Sequence, residues 1–168
     1  MNAAYLSAEI VPGKSGAGFH LGATFFELED IFCTAKRWNL SDGQIQEVVV
    51  RESGWLLKPS LSSADPAITT DGTYYYQQGI LRVHFTAGIL DWLEVSDGYM
   101  GKLFENIRVG DPLAKVREHF EIEYDDVEEL HFPTSDSGVS GVAFRAALQS
   151  LESFSEQLIE GIFIIPDE

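Results

Sequence analysis

The sequence contains a single cysteine, Cys33, among 168 residues. No disulfide can therefore form within the chain, and this composition fits a reducing compartment. The N-terminal segment lacks a basic region followed by an apolar run, so we expect no secretory signal peptide. No apolar run approaches the roughly 18 residues that a membrane-spanning helix needs. These absences favour a soluble, cytoplasmic protein.

Basic side chains are also scarce. Eleven Lys and Arg residues stand against 27 Asp and Glu residues, which gives a formal net charge of -16. Nucleic acid and anionic membranes are poor partners for such a chain because both would be repelled. A basic protein is a good partner, since complementary charge can accelerate association by about 10- to 1000-fold. The alternative interpretation is that the acidity only maintains solubility.

Sequence motifs of catalysis and of cofactor binding are missing. No His-Glu-x-x-His motif is present, and none of the four histidines pairs with another at helical spacing. The segment Gly13-Lys14-Ser15 resembles the end of a phosphate-binding loop, but Glu9 occupies the position of the required glycine. We interpret Cys33 as a buried, inert thiol. The sequence therefore predicts no enzymatic activity, no metal and no cofactor.

Apolar residues make up 45% of the chain and charged residues 23%, as in ordinary globular domains. Thr24 and Glu27 form a capping box that predicts a helix over residues 25–35. Asp111 and Pro112 predict the start of a second helix. Two alternating segments, 80–85 and 89–95, predict a β-hairpin with a turn at Ala87-Gly88. Further strands are predicted at residues 45–50, 55–57, 73–76, 127–132, 142–145 and 158–165, and residues 59–71 are predicted to be a loop.

Two segments align without a gap at an offset of 88 residues. FHLGATFFELEDIF spans residues 19–32 and IRVGDPLAKVREHF spans residues 107–120, with Gly22 matching Gly110 and Phe32 matching Phe120. The pattern predicts an α+β fold in which two related helix-plus-antiparallel-strand halves, about 8–97 and 98–168, form one sheet-based domain. The alternative is a coincidental similarity between two amphipathic helices.

Two surfaces are candidates for binding a partner. The first is a cluster of six acids within nine residues: Glu121, Glu123, Asp125, Asp126, Glu128 and Glu129. Such a cluster is by default a solvated surface segment, and the sharper hypothesis is a docking site for a basic protein. The second comprises Trp92, Asp97, Tyr99 and Met100 at the end of the hairpin, where aromatic side chains would act as interface anchors. The alternative for Trp92 is a position in the core.

The residues carry a resemblance to a known group of proteins. The opening IVPGKSGAGFHLG is similar to an I-x-P-G-x-S-x-x-G-x-x-L-G segment of immunity proteins from bacterial polymorphic toxin systems, including contact-dependent inhibition and type VI secretion loci. The later segments GILRVHFTAGILDWLEV, IRVGDPLAKVREHF, GVAFRAAL and IEGIFII resemble their order of hairpin, helix and closing strands. The resemblance implies a cytosolic antitoxin that binds and blocks one cognate toxin, often a basic nuclease. It transfers no binding residue, and Gly13, Gly18, Gly22 and Gly110 correspond only as positions that specify the fold.

Two other classes of function remain open at this point. An acidic secretion chaperone or adaptor would also be a small α+β protein that binds another polypeptide. An enzyme or small-ligand binder could assemble its site from scattered residues that no motif reveals. Inhibition of a toxin by occlusion is the leading hypothesis.

Overall fold

The computed structural model describes residues 3–60 and 70–167. Within these ranges the chain is mostly β-structure with a few short helices, which confirms the predicted α+β character. The two α-helices are Phe25–Phe32 (α1) and Ile45–Val49 (α2). The strands are Ser15–Gly16 (β1), Phe19–His20 (β2), Lys36–Arg37 (β3), Trp55–Pro59 (β4), Gly72–Tyr76 (β5), Leu81–Thr86 (β6), Ile89–Ser96 (β7), Ile122–Asp125 (β8), Leu130–Pro133 (β9), Val142–Arg145 (β10) and Gly161–Ile164 (β11).

Nine of these strands form one large sheet in the order β3-β4-β5-β6-β7-β11-β10-β9-β8, and β1 pairs with β2 separately. The strands β4 to β7 follow one another as an antiparallel meander, and so do β8 to β11. The last strand of each meander, β7 and β11, pair antiparallel and join the two sets. Only the short β3 runs parallel to its neighbour, β4. Most of the predicted loop, residues 61–69, lies outside the described ranges.

The β6–β7 hairpin is formed as predicted. Ala87 and Gly88 both have positive φ, 50° and 76°, as the two central residues of a type I′ turn require. The pairing register shifts after His84, where β7 contributes Asp91 as an additional residue. Such a bulge bends the strand and redirects the side chains beside it.

Helix α1 begins with the predicted capping box. The Thr24 hydroxyl accepts a hydrogen bond from the Glu27 N–H, and the Glu27 carboxylate accepts one from the Thr24 N–H at 2.7 Å. The helix ends at Phe32, three residues before the predicted end. The chain then has to extend, because Lys36 and Arg37 pair with β4 as strand β3.

Three local predictions are wrong. The strand expected at residues 127–132 begins only at Leu130, because residues 126–129 form the turn between β8 and β9. Residues 45–50 were expected to form a strand, but Ile45–Val49 is helix α2. Its apolar residues at 45, 48 and 49 also fit helical spacing, and Ile45 and Val49 pack together on Leu56. The expected second α-helix is instead a 3₁₀ helix, Leu113–Glu118, and Pro112 occupies its N-cap position. The Asp111 carboxylate does not cap it, because it accepts hydrogen bonds from the Arg108 N–H and the Lys115 ammonium at 2.9 and 2.8 Å.

One continuous hydrophobic cluster lies against one face of the sheet. It combines strand residues such as Val83, Leu93, Phe144 and Ile162 with residues of both predicted halves outside the sheet, among them Phe19, Phe25, Phe32, Leu113, Val116 and Phe120. A second, small cluster of Ile45, Val49 and Leu56 lies at the β4 end, where α2 packs on the sheet. Because neighbouring residues of a strand point to opposite faces, the large cluster leaves the alternate residues of β6, β7, β10 and β11 on the other face.

The backbone hydrogen bonds around the two glycine turns repeat at the predicted offset. Three bonds join the entry of α1 to the start of β7: Gly22 N–H to Leu90 O (2.8 Å), Phe25 N–H to Gly88 O (2.7 Å) and Leu90 N–H to Ala23 O (2.9 Å). Three equivalent bonds join the second entry to the chain before β11: Gly110 N–H to Ile159 O (2.7 Å), Leu113 N–H to Gln157 O (2.9 Å) and Ile159 N–H to Asp111 O (2.9 Å). Each turn therefore holds the start of a helical segment against the chain at the beginning of the last strand of a meander.

Replacing either turn glycine by alanine should cost the same modest amount. Gly22 and Gly110 have φ of 82° and 89°, and an added Cβ would meet no atom within 4 Å at either site. The cost is then only that of a left-handed backbone, so we expect each substitution to lower the free energy of unfolding by about 1 kcal/mol. Gly54→Ala is the control, since Gly54 has open space and no positive φ. Urea denaturation curves measure all three, and a loss at Gly54 as large as at Gly22 would contradict this explanation.

Candidate binding face of the sheet

The face of the sheet opposite the large hydrophobic cluster carries polar and aromatic side chains at its centre. Arg82 and His84 come from β6, Trp92 from β7, Phe163 from β11 and Arg145 from β10. All five are only partly buried. We call this surface the open face.

A carboxylate that is completely buried lies at the centre of the open face. Glu94 has no exposed surface, and two guanidinium groups approach its oxygens, one from the adjacent strand β6 and one from β10, which lies beyond β11. Arg82 donates to Oε2, and the Arg145 Nε donates to Oε1 at 2.9 Å. Gly161 makes this geometry possible, because a Cβ there would overlap the Glu94 carboxylate. A carboxylate that accepts hydrogen bonds from two arginines in this way holds both of them in fixed positions.

Aromatic rings surround the Arg82 guanidinium. Its central carbon lies 5.8 Å from the centre of the Trp92 ring and 5.5 Å from that of Phe163. The His84 ring stacks on Trp92 at a centroid distance of 4.9 Å and an interplanar angle of 11°. Burial lowers the pKa of Arg82 and nearby Tyr75 raises it, but an arginine remains charged at physiological pH. Arginine and tryptophan are the side chains that most often dominate protein interfaces.

A groove of about 520 Å³ lies over this centre. Its apolar lining includes Trp92, Phe132, Leu148 and Phe163, and Arg82 and Arg145 supply positive charge. Glu128 and Glu129 line it as well. The structure thus brings Trp92 together with two residues of the predicted acidic cluster, although they lie more than 30 positions apart in the sequence.

The predicted acidic cluster forms the edge strand β8 and the turn that connects it to β9. All six carboxylates are exposed. Asp125 organises the turn, since its Oδ1 accepts hydrogen bonds from the N–H groups of Val127 and Glu128 at 2.8 and 3.0 Å. Glu121 pairs with Arg117 at 3.1 Å. Desolvation raises the pKa of Tyr124, and the carboxylates of Glu129, Asp126 and Asp125 raise it further.

The second predicted surface is not one patch. Tyr99 is buried, and its hydroxyl donates to the Ala8 carbonyl at 2.6 Å and accepts from the Ala17 N–H at 3.0 Å. The expectation of an exposed anchor at Tyr99 is therefore wrong. Asp97 and Met100 are exposed beyond the end of β7. Trp92 lies five residues earlier than Asp97 on the strand, which corresponds to about 16 Å.

Two further side chains, Cys33 and His131, make local contacts of their own. Cys33 is exposed rather than buried, because α1 ends at Phe32 and Cys33 is the C-cap residue that follows it. Its thiol donates to the Asp30 carbonyl at 3.1 Å. His131 is buried, and burial lowers the pKa of its imidazole, which lies 3.4 Å from the Ala147 carbonyl oxygen. Both contacts are structural.

Sequence reasoning did not identify Glu94, Arg82, Arg145 or Phe163. The alternation of β6 places Arg82 on the same face as His84, and that signal was available. No such signal indicated the contact between Glu94 and Arg145. The two residues are 51 positions apart, and their contact depends on the pairing of β7 with β11.

Comparisons with known proteins give few matches. No protein-family profile matches the chain, and no curated protein matches it in sequence. One solved structure that aligns with it is that of the uncharacterized protein yfeY from Escherichia coli. The two are 9% identical, the alignment covers 95% of this chain and 98% of that one, and the TM-score is 0.49.

Neither a membrane-spanning helix nor a metal-binding cluster is found among the described residues. No helix within 3–60 or 70–167 has the length and apolar character to cross a bilayer. In the same ranges, no group of three or more His, Cys, Asp or Glu side chains is arranged to hold a metal ion.

Proposed function

We propose that this protein is an immunity protein that binds a basic toxin domain through the open face of its sheet and thereby occludes the toxin's active site. The observation that carries the proposal is the groove in which Trp92 and Phe163 flank Arg82 beside the exposed Glu128 and Glu129. The resemblance of the sequence to immunity proteins supplies the biological role.

The centre of the open face has the properties of an interface core. Arg82 has only 27% of its side chain exposed, and Glu94 already fixes its orientation. Little side-chain entropy is then lost when a partner covers it, which is the advantage of a preorganised contact. The groove residues Leu148 and Phe132 extend the apolar area around this arginine. A partner that covers them would gain most of its binding energy here.

The acidic cluster borders this centre and selects the charge of the partner. Six exposed carboxylates on β8 and its turn, within a chain of net charge -16, produce a negative field at this end of the sheet. A basic toxin would be attracted from a distance, while an acidic protein would be repelled. Rapid capture suits an antidote, because the toxin has to be blocked before it acts.

We also infer that the two predicted halves are copies of one structural unit. The equivalent hydrogen bonds at Gly22 and Gly110 support this inference, as do two meanders of four strands each. Pairing of β7 with β11 places Glu94 opposite Phe163, and the register pairs Leu93–Ile164 and Val95–Ile162 flank them symmetrically. An approximate two-fold axis therefore passes through the centre of the open face, so both halves would contribute to the interface.

The neighbouring gene provides the test of this function. Expression of the adjacent gene's product alone should stop growth, and co-expression of this protein should restore it. The purified pair should form a complex in which the partner is folded and inactive. A harmless neighbour would contradict the proposal. A client held partly unfolded by a dimer of this chain would instead identify a secretion chaperone.

Charge reversal tests the role of the acidic cluster in that complex. Changing Asp125, Asp126, Glu128 and Glu129 to lysine should slow association with the toxin at least about tenfold at low salt, because steering depends on these charges. The control reverses four exposed acids elsewhere, Glu29, Asp30, Glu47 and Glu105, with the same change in net charge. Stopped-flow mixing measures both rates. Equal slowing by the two variants would show that only net charge matters.

A further inference from the structure

A second groove, of about 710 Å³, lies at the other end of the open face, beside β3 and β4. Arg37, Lys58 and His84 line it, and no Asp or Glu is found among the described residues of its lining. This composition contrasts with a chain that has more than twice as many acidic as basic residues. We call it the basic groove. It is far larger than one ion and lies within the usual size range of small-molecule sites.

The strand register builds the floor of the basic groove. Lys58 pairs with Thr73, and Thr73 pairs with His84, so the three side chains form one row across β4, β5 and β6. The Thr73 hydroxyl and the His84 Nδ1 are 2.8 Å apart. This contact fixes the imidazole ring, which Trp92 also supports by stacking. The row is therefore a rigid, polar surface between a lysine and an imidazole.

The corresponding row in the second meander has different charges. By the same strand pairing, Asp125 and Leu130 take the places of Lys58 and Thr73. A lysine in one meander thus stands where the other has a carboxylate. The lysine therefore distinguishes this row from its counterpart.

Apolar walls complete the basic groove. Trp38 and Pro59 line it beside the positive groups. The Trp38 indole N–H donates to the Gly43 carbonyl at 3.1 Å, so its ring is held in place. An anion alone would not need these walls. A ligand that joins an anionic group to an organic part would use both.

We propose that the basic groove binds the phosphate group of a phosphorylated small molecule, whose organic part packs against Trp38 and Pro59. The Lys58 ammonium supplies charge for a phosphate dianion, and the His84 imidazole supplies a further N–H. Burial lowers the pKa of His84, while the carboxylates of Asp91 and Asp71 raise it. A bound dianion would add to the effect of these carboxylates and hold His84 in its protonated form.

The test uses inorganic phosphate and phenyl phosphate as probes, with acetate and phenol as comparisons. Histidine ring resonances are followed by NMR at constant ionic strength, up to about 10 mM of each probe. Both phosphates should shift the His84 signals saturably and raise the His84 pKa, and phenyl phosphate should bind more tightly. Lys58→Ala should weaken phosphate binding about tenfold, whereas Lys14→Ala, an exposed lysine outside the basic groove, should not change it.

The proposal would be overturned by no saturable shift of His84, by equal shifts with acetate and phosphate, or by equal weakening by Lys58→Ala and Lys14→Ala. Phenol that binds as well as phenyl phosphate would likewise show that the basic groove does not recognise phosphate. These measurements need no toxin. Their result is therefore independent of whether the protein is an immunity protein.

Discussion

Replacing Glu94 by glutamine is expected to lower the free energy of unfolding by about 3 kcal/mol. The carboxylate is fully buried and accepts hydrogen bonds from Arg82 and Arg145. An amide is neutral and offers one acceptor oxygen in place of two, so at least one guanidinium would lose its partner inside the sheet. The value lies at the low end for a broken buried pair, because the two arginine side chains are 27% and 36% exposed and water can replace part of the loss.

Glu160→Gln is the matched control for this experiment. Glu160 also pairs with Arg145, at 3.1 Å, but its side chain is 57% exposed. An exposed ion pair contributes little, so we expect a loss of less than about 1 kcal/mol. Urea denaturation of the two variants beside the native chain measures the difference. A loss at Glu94 no greater than at Glu160 would mean that the central network does not stabilise the sheet.

The same network links stability to the proposed interface. Glu94 holds Arg82 between the rings of Trp92 and Phe163, so the arginine presents one orientation to a partner. In the proposed interface, an arginine that is already held in place would lose little side-chain entropy when a partner covers it.

Local patterns in the sequence predicted those elements that depend on neighbouring residues. The capping box at Thr24 and the turn at Ala87-Gly88 act over a few positions, and both have the expected geometry. The segment at 45–50 shows the limit of such reasoning. Its apolar spacing fits a helix as well as a strand, and only the packing of Ile45 and Val49 on Leu56 decides in favour of the helix.

The candidate binding face could be predicted only in part, because it depends on contacts between distant segments. The acidic cluster is recognisable in the sequence because its charges are close together, and its side chains are exposed, as is usual for such a cluster. Tyr99 was assigned to the surface from its residue type, but its hydroxyl finds partners in Ala8 and Ala17, which a sequence pattern does not reveal. The position of Glu94 between two arginines likewise requires the β7–β11 pairing.

Phe32→Ala should be the most destabilising of the changes considered, with a loss of about 4 kcal/mol. Phe32 is 4% exposed, and its ring centre lies within 4.3 to 6.0 Å of five other aromatic rings, those of Phe19, Phe25, Trp55, Tyr74 and Phe85. Removing the ring leaves a cavity and also removes favourable ring contacts, each of which adds about 0.5–1.5 kcal/mol beyond the buried area.

Phe120, which aligns with Phe32 at the 88-residue offset, provides the comparison. Phe120 is 6% exposed, and its aromatic ring contacts are with Phe104 and Phe144, at 5.7 and 6.3 Å. With fewer ring contacts, Phe120→Ala should cost about 3 kcal/mol, and Phe26→Ala, at a residue 75% exposed, less than about 0.5 kcal/mol. Urea denaturation curves of the three variants measure these losses in the free energy of unfolding and rank them. If Phe120→Ala cost as much as Phe32→Ala, the additional ring contacts of Phe32 would contribute no stability beyond that from burial, which both positions share.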